Sequence, residues 1–145
     1  EQTKAAFVGQ YFSAGDMAYR DEQGYYYLVD RKKNMIITGG ENVYPSEVEN
    51  CIGGHTSVKD VAVIGVPDAK WGEAITAIVI LHQGIEPTAA LAEEIKEFTK
   101  GKIAGFKRPK VLEFIAEADM PRTGTGKILH RVLRERYGHW AQQKG

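Results

Sequence analysis

The segment Pro121-Arg122-Thr123-Gly124-Thr125-Gly126-Lys127 has the composition of a loop that approaches a charged ligand. Its two glycines permit backbone conformations that other residues avoid, and its last residue places a mobile cation beside whatever the loop contacts. A phosphate group or an acyl carboxylate is the natural partner of such a cation. A Walker-type phosphate loop is excluded, because that pattern requires glycine at Pro121 and serine or threonine at Ile128. Taken alone, the segment is better described as a solvated turn before a helix.

A second candidate region combines a charged turn with a double glycine. Asp30-Arg31-Lys32-Lys33 is followed, after a short apolar stretch, by Gly39-Gly40-Glu41. A double glycine after a strand typically marks a turn or a close backbone approach, which a thin and flexible ligand needs in order to slide past. Earlier in the chain, the carboxylate of Asp16 could accept hydrogen bonds from both hydroxyls of a ribose. Each of these pieces alone is more often a solvated turn.

Aromatic and cationic residues form a third group. Trp71 and the segment Phe106-Lys107-Arg108-Pro109-Lys110 could stack an adenine ring and pair with phosphates. Core aromatics with solvated lysines are the simpler interpretation of either piece alone. Cys51 and His55 lie four residues apart, but a double glycine separates them and no further ligands cluster nearby, so we predict no protein-bound metal.

The order of predicted elements describes a small α+β domain. Aromatic and β-branched residues predict strands over residues 25–29 and 35–38, which we expect to pair as a hairpin across the charged turn between them. Pro45 suits the first position of a helix that ends at Gly53-Gly54. Further strands are predicted over residues 58–66, 74–81 and 110–115, and helices over residues 87–103 and 128–137. The result is a small mixed sheet of three or more strands plus a hairpin, with helices packed against it.

Composition narrows the functional classes. The 145 residues suffice for one domain, and 43% of them are hydrophobic. Lys plus Arg and Asp plus Glu each number 19, so the zero net charge argues against a dedicated nucleic-acid binder. A single cysteine excludes an internal disulfide, and the longest apolar run, residues 74–81, is far shorter than the roughly 20 residues of a membrane span. We expect a cytoplasmic protein, with no membrane association through this part.

Taken together in this order, the motifs resemble the carboxyl-terminal region of the superfamily of acyl-CoA synthetases, peptide-synthetase adenylation domains and firefly luciferases. The resemblance extends from about Tyr11 to Leu133 and is closest to fatty-acid and aryl acid–CoA ligases. It implies that Asp16 binds the ribose hydroxyls of ATP, although Ala14 replaces the usual threonine two residues earlier. It also implies that Arg31 contacts the nucleotide and that Lys33 is the hinge of a mobile domain.

The resemblance assigns the remaining motifs to two catalytic states. One state presents Lys127 for adenylation of the acid, and the other brings Gly39-Gly40-Glu41 to the tunnel of the thiol acceptor. The CoA nucleotide site of some bacterial ligases is matched by four residues, namely Trp71, Phe106, Arg108 and Lys110. The implied substrates are a carboxylic acid, ATP with its Mg²⁺, and CoA.

The resemblance also implies a division of the chain. Residues 1–30 match the tail of a large N-terminal domain, and residues 31–145 match the mobile C-terminal domain. Since the phosphate loop and acid pocket of the superfamily lie in the large domain, we expect this chain to be inactive alone. An adenylation domain that loads a carrier protein and a non-catalytic stand-alone module remain alternatives, and luciferase-like oxidation is a remote one.

Overall fold

The computed structural model describes the backbone of residues 7–8, 11–12, 16–20, 26–31 and 34–144, and the side chains of residues 34–138. These residues form nine strands and three helices. The strands are β1 (Phe7–Val8), β2 (Tyr11–Phe12), β3 (Asp16–Arg20), β4 (Tyr26–Arg31), β5 (Ile36–Thr38), β6 (Glu41–Val43), β7 (Val58–Asp68), β8 (Gly72–Leu81) and β9 (Val111–Phe114). The helices are α1 (Pro45–Gly53), α2 (Ala89–Phe98) and α3 (His130–Lys144).

The centre of the fold is a three-stranded mixed sheet. Its middle strand, β8, pairs with β7 in an antiparallel register and with β9 in a parallel one. Helices cover both faces of this sheet, so side chains pointing either way are buried. This explains why β7 and β8 are continuous apolar runs instead of alternating polar and apolar residues.

Alternate residues of β7 and β8 supply two separate cores. Val61 and Val63 lie in a first core, to which the β5–β6 hairpin, α1 and α2 contribute buried residues such as Ile52 and Ile95. Ala62 and Ile64 point to the opposite face. The second core is completed by Ile78, Ile80, Val66, Met120 and Leu133, the last of these from α3.

The helix ends have local causes. Pro45 begins α1, and the helix ends at Gly53 as expected. The helix predicted over residues 87–103 is shorter in the structure, because Thr88 accepts a hydrogen bond from the Leu91 backbone N–H and so fixes the start of α2. The α2 helix ends at Phe98, before Gly101 takes a φ of 78°.

The α+β prediction is confirmed, but the predicted pairing of two strands is wrong. Among the described residues, the corresponding strands β4 and β5 do not pair with each other. Instead, β4 pairs with β3, and β5 pairs with β6. The turn between β5 and β6 consists of Gly39 and Gly40, whose φ angles of 57° and 82° suit a two-residue hairpin turn. Immediate chain reversal at these glycines gives β5 a local partner.

Strand β7 is also longer than predicted. It continues through Pro67 to Asp68, whereas we expected it to stop before the proline. Proline has no backbone N–H, and it is tolerated here because β7 lies at the edge of the sheet. The extension carries β7 directly into the turn that precedes Trp71.

Replacing Leu133 with alanine is expected to lower the free energy of unfolding by roughly 2–5 kcal/mol, because the side chain is fully buried and its loss leaves a cavity. Urea denaturation followed by circular dichroism measures the change. Leu133→Met keeps the volume and should lose less than about 1.5 kcal/mol. Equal stability of Leu133→Ala and the unmodified chain would show that α3 does not close the second core.

Candidate functional site

The two residues assigned to the nucleotide lie opposite each other in the backbone. The register of β3 and β4 pairs the Cα atom of Asp16 with that of Arg31. Directly opposite residues of an antiparallel pair have Cα atoms about 4.5–5.5 Å apart. The hairpin therefore brings two positions together that are separated by a turn in the sequence. Lys33, the predicted hinge, lies outside the described residues.

The loop that carries Lys127 is closed by a dense set of short hydrogen bonds. The Thr123 N–H donates to the Lys127 carbonyl at 2.8 Å, and the Gly126 N–H donates to the Thr123 carbonyl at 2.9 Å. The Lys127 N–H donates to Thr123 Oγ1 at 3.1 Å. Gly126 has a φ of 90°, a conformation that favours glycine. The backbone of Lys127 is therefore held, while its side chain is exposed.

Arg122 fastens this loop to the sheet. Its Nη1 donates to the Gly126 carbonyl at 3.1 Å, and its Nη2 contacts Asp60 Oδ2 at 2.6 Å. Asp60 belongs to β7, so one guanidinium joins the tip of the loop to the start of the central hairpin. Sequence reasoning missed this role, because Asp60 and Arg122 are separated by 62 residues and neither position has a local signal for the pairing.

A second contact fixes the chain immediately after the loop. His130, the first residue of α3, places its Nε2 3.1 Å from Glu49 Oε1 of α1. Both side chains are largely buried. Among the described residues, by contrast, the Lys127 ammonium has no carboxylate at ion-pair distance. The structure thus presents an available cation on an anchored loop.

The double glycine and Trp71 form one surface. The Gly39 N–H donates to the Trp71 carbonyl at 2.9 Å. A Cβ atom on Gly39 would lie 3.2 Å from Trp71 Cε3, so any side chain at this position would crowd the indole. Residues assigned separately to the thiol tunnel and to CoA are in direct contact. Trp71 itself remains 38% exposed.

Cations surround the exposed indole of Trp71. The Nζ atoms of Lys110 and Lys70 lie 4.9 and 5.0 Å from its ring centroid. Lys70 was not singled out in the sequence, although it directly precedes the tryptophan. Phe106 is 42% exposed, and the neighbouring Lys107 pairs with Glu47 at 2.9 Å. The geometry thus gathers an aromatic ring, which can stack a base, and cations, which can pair with phosphates.

Arg108 occupies a different environment from the lysines. Its Nε donates to Thr99 Oγ1 at 3.1 Å and its Nη2 donates to the Lys96 carbonyl at 3.1 Å. Nη2 also lies 3.4 Å from Glu97 Oε1. The guanidinium is therefore engaged with the C-terminal turn of α2.

The lysine loop and the glycine–tryptophan surface lie at opposite ends of β7. Asp60, which holds the loop, and Asp68, which precedes the turn to Trp71, are eight residues apart in one strand. At 3.3 Å per residue this is about 26 Å. A single reacting group cannot contact both ends at once.

Cys51 and His55 do not form a reactive or metal-binding pair among the described residues. Burial raises the pKa of the Cys51 thiol, with Glu47 adding to the rise and Lys102 opposing it, which disfavours the reactive thiolate. His55 is buried edge-on against Phe98 and accepts a hydrogen bond from the Ser57 N–H. Among the described residues, no three His, Cys, Asp or Glu side chains converge as metal ligands. None of the described helices combines the length and the apolarity that a membrane crossing requires.

The family model of the AMP-binding enzyme C-terminal domain matches residues 47–127, more than half of the chain. The chain therefore belongs to this family. The match includes the central sheet, Trp71 and Lys127.

Individual relatives agree with this assignment. A long-chain fatty-acid–CoA ligase of Mycobacterium tuberculosis is 48% identical over 94% of this chain and 26% of its own length. ATP-bound MatB from Rhodopseudomonas palustris has a TM-score of 0.82 and 39% identity, with 97% of this chain and 27% of that one covered. The o-succinylbenzoate–CoA synthetase of Bacillus subtilis, in complex with its acyl-adenylate intermediate, has a TM-score of 0.75 and 34% identity over 90% and 26%. The chain spans about a quarter of the length of these relatives.

Removing the Arg122 side chain is expected to loosen the lysine loop without unfolding the domain. In Arg122→Ala, amide hydrogen exchange at Gly126 and Lys127 should accelerate several-fold, while the loss of a half-exposed ion pair changes stability by only about 1 kcal/mol or less. Exchange followed by NMR measures this. Arg131→Ala, which removes an exposed pair with Glu135, is the matched control and should leave the loop unchanged. Unaltered exchange in Arg122→Ala would contradict the anchoring role.

The two glycines of the β5–β6 turn should respond differently to substitution. Both have positive φ, so alanine strains either position by about 1–2 kcal/mol. Only Gly39→Ala also crowds Trp71, since a Cβ atom at Gly40 meets nothing within 4 Å. The indole N–H signal of Trp71 in a Trp140→Phe background should therefore shift strongly in Gly39→Ala and little in Gly40→Ala. Equal shifts in the two variants would argue against the contact.

Proposed function

We propose that this chain is the C-terminal part of an ATP-dependent, AMP-forming acid–CoA ligase. The complete enzyme would activate a carboxylic acid as an acyl-adenylate and then form the CoA thioester. The observation that carries the proposal is the exposed ammonium of Lys127, which has no carboxylate partner among the described residues and stands on a loop that Arg122 and His130 hold in place. The family match and the similarity to acid–CoA ligases support the reaction class.

Lys127 suits the first step of this reaction. A carboxylate oxygen attacks the α-phosphorus of ATP, the bond from that phosphorus to the oxygen leading to the β-phosphate breaks, and pyrophosphate leaves. Mg²⁺ would accompany ATP and neutralise part of the phosphate charge. Two anions must approach each other, and an ammonium that contacts both lowers the repulsion. Because the loop is already ordered by its own hydrogen bonds, little reorganisation is needed to present the cation.

The Gly39–Trp71 surface suits the second step. The sulfur of CoA attacks the acyl carbonyl carbon, the bond to the phosphate oxygen breaks, and AMP leaves while the thiol loses its proton. Gly39-Gly40 offers a turn without side chains along which the narrow pantetheine arm can pass. Trp71 and Phe106 offer aromatic surface for the adenine, and Glu41 directly follows the glycines. CoA is favoured over a carrier protein because cations surround Trp71.

The separation of the two surfaces supports a turn of the domain between the two steps. About 26 Å of β7 lies between Asp60 and Asp68, so Lys127 and Trp71 cannot serve one acyl group in the same orientation. Lys33 is proposed as the hinge. Asn34, the next residue, is held to α3 by Arg134 at 3.0 Å, so a rigid body begins directly after the proposed hinge.

The proposed partner is a large N-terminal domain of the same protein. In this division residues 1–30 are the tail of that domain, with Asp16 binding ribose, and the mobile domain begins near Arg31. The large domain would also choose the acid. The named acids of the relatives differ between long-chain fatty acid and o-succinylbenzoate, whereas their C-terminal quarter stays 34–48% identical to this chain.

In the complete enzyme, Lys127→Ala should reduce pyrophosphate release from ATP and acid by about 100-fold or more, as expected for loss of a charge that acts in the transition state. Thioester formation from a supplied acyl-adenylate should persist. Lys100→Ala, a lysine exposed at the end of α2, is the matched control and should leave both steps intact.

Three outcomes would contradict the proposal. Unchanged pyrophosphate release in Lys127→Ala would contradict the proposed role of this lysine in the first step. Acyl transfer to a carrier protein but not to CoA would favour the adenylation-domain alternative. Acyl-CoA formation by this chain alone would contradict the need for a large domain.

A further inference from the structure

The β5–β6 hairpin is hydrogen-bonded to the beginning of β8 at two points. The Gly39 N–H donates to the Trp71 carbonyl at 2.9 Å, and the Ile37 N–H donates to Glu73 Oε2 at 2.7 Å. The second bond joins residues that are 36 positions apart in the sequence. Glu73 is the second residue of β8 and is partly buried. A carboxylate at the start of the central sheet thus holds the strand that leads into the Gly39-Gly40 turn.

The register of the hairpin explains why the Ile37 N–H needs this acceptor. Ile37 lies opposite Asn42, one residue before the pair of Thr38 and Glu41 that closes the turn. In an antiparallel pair, every second residue directs its N–H away from the partner strand. The bond to Glu73 places Ile37 in this outward set. A backbone N–H beside a packed sheet costs free energy unless an acceptor meets it, and the carboxylate supplies that acceptor.

Strand β7 leaves room for the Glu73 side chain at a glycine. The register pairs Pro67 with Glu73, so Glu73 is the diagonal neighbour of Gly65, two residues earlier in β7. A Cβ atom on Gly65 would lie 2.8 Å from Glu73 Oε1 and 3.0 Å from Ile36 Cγ2. The carboxylate therefore passes through the space that a side chain at this position would fill. This accounts for a glycine inside the apolar run of β7.

The Gly39-Gly40 turn depends on contacts outside itself, because two adjacent glycines restrict the backbone very little. We infer that Glu73 is a positioning residue for this turn, and that Gly65 is the position in β7 that seats its carboxylate. The inference rests on the proposed function for the step that it affects, which is attack of the CoA thiol past the glycines. In this role Glu73 contacts no reacting group. It fixes the strand that enters the turn, while the Trp71 carbonyl fixes the turn itself.

Hydrogen exchange of the Ile37 amide tests the contact in this chain. In Glu73→Ala the amide loses its acceptor and should exchange several-fold faster. Glu73→Gln keeps an acceptor oxygen and should retain most of the protection. Thr88→Ala is the matched control, since it removes another side-chain acceptor of a backbone N–H at the start of α2 and should leave Ile37 unchanged. Unaltered exchange of Ile37 in Glu73→Ala would overturn the positioning role.

The two reaction steps of the complete enzyme test the consequence. Glu73→Ala should lower kcat/KM for CoA, measured with supplied acyl-adenylate, by about tenfold, because displacement of a positioning element is costly to a reaction. Pyrophosphate release from ATP and acid should be unchanged. Glu73→Gln should restore thioester formation, and Thr88→Ala should alter neither step. Equal losses in both steps, or intact thioester formation in Glu73→Ala, would overturn the inference.

Gly65→Ala reaches the same contact from the other strand. Its Cβ atom displaces the carboxylate, so thioester formation should fall relative to pyrophosphate release as it does in Glu73→Ala. The double variant should lose no more than the more affected single variant, because both changes remove one contact. Additive losses would overturn the seating role of Gly65. Pyrophosphate release in Lys127→Ala decides the proposed function independently of all these outcomes.

Discussion

Burial of both faces of the β7–β8 ladder is the constraint on which the remaining structure depends. A sheet with one solvated face would need cover on one side only, but the alternating residues of these strands are apolar in both directions. The β5–β6 hairpin, α1 and α2 cover one face, and α3 covers the other. Each fully buried Val, Ile or Leu side chain contributes about 1.5–3 kcal/mol. The helices therefore pack against the two apolar faces of the sheet, and the positions of the helices determine the paths of the connecting loops.

Both candidate surfaces, the Lys127 loop and the Gly39–Trp71 surface, are attached to the ends of this ladder by weak but specific contacts. Arg122 reaches Asp60 at one end, and the Asp68 carboxylate organises the turn to Trp71 at the other. Such partly exposed interactions add little to global stability. Their effect is orientation, since they hold a cation or a ring on a scaffold that the cores keep rigid. The length of β7 then sets the separation of the two surfaces, and this separation is the geometric basis of the proposed rotation of the domain between two reaction steps.

The amino-acid sequence alone was enough to predict most of the helices and strands. Continuous β-branched runs identified β7 and β8, Pro45 located the start of α1, and the glycines marked the turns. The predicted pairing of residues 25–29 with 35–38 was wrong, because the pattern of residues identifies a strand but not the strand with which it pairs. The tight turn at Gly39-Gly40 pairs β5 with β6 instead. Individual contacts also placed the ends of some elements away from their predicted positions. The Thr88 cap, for example, fixes the start of α2.

Local sequence determined the chemistry available at each site, since the glycines, the aromatic residues and Lys127 stand in short motifs that can be recognised without a structure. Tertiary structure decided which of these groups meet and which charges stay available. Asp60 with Arg122, Glu49 with His130 and Gly39 with Trp71 are contacts between segments 32 to 81 residues apart. Lys70 directly precedes Trp71 and Arg108 stands two residues after Phe106, yet Arg108 binds a helix end and Lys70 faces the indole. The physical reason is that folding brings distant carbonyls and carboxylates to some cations and not to others.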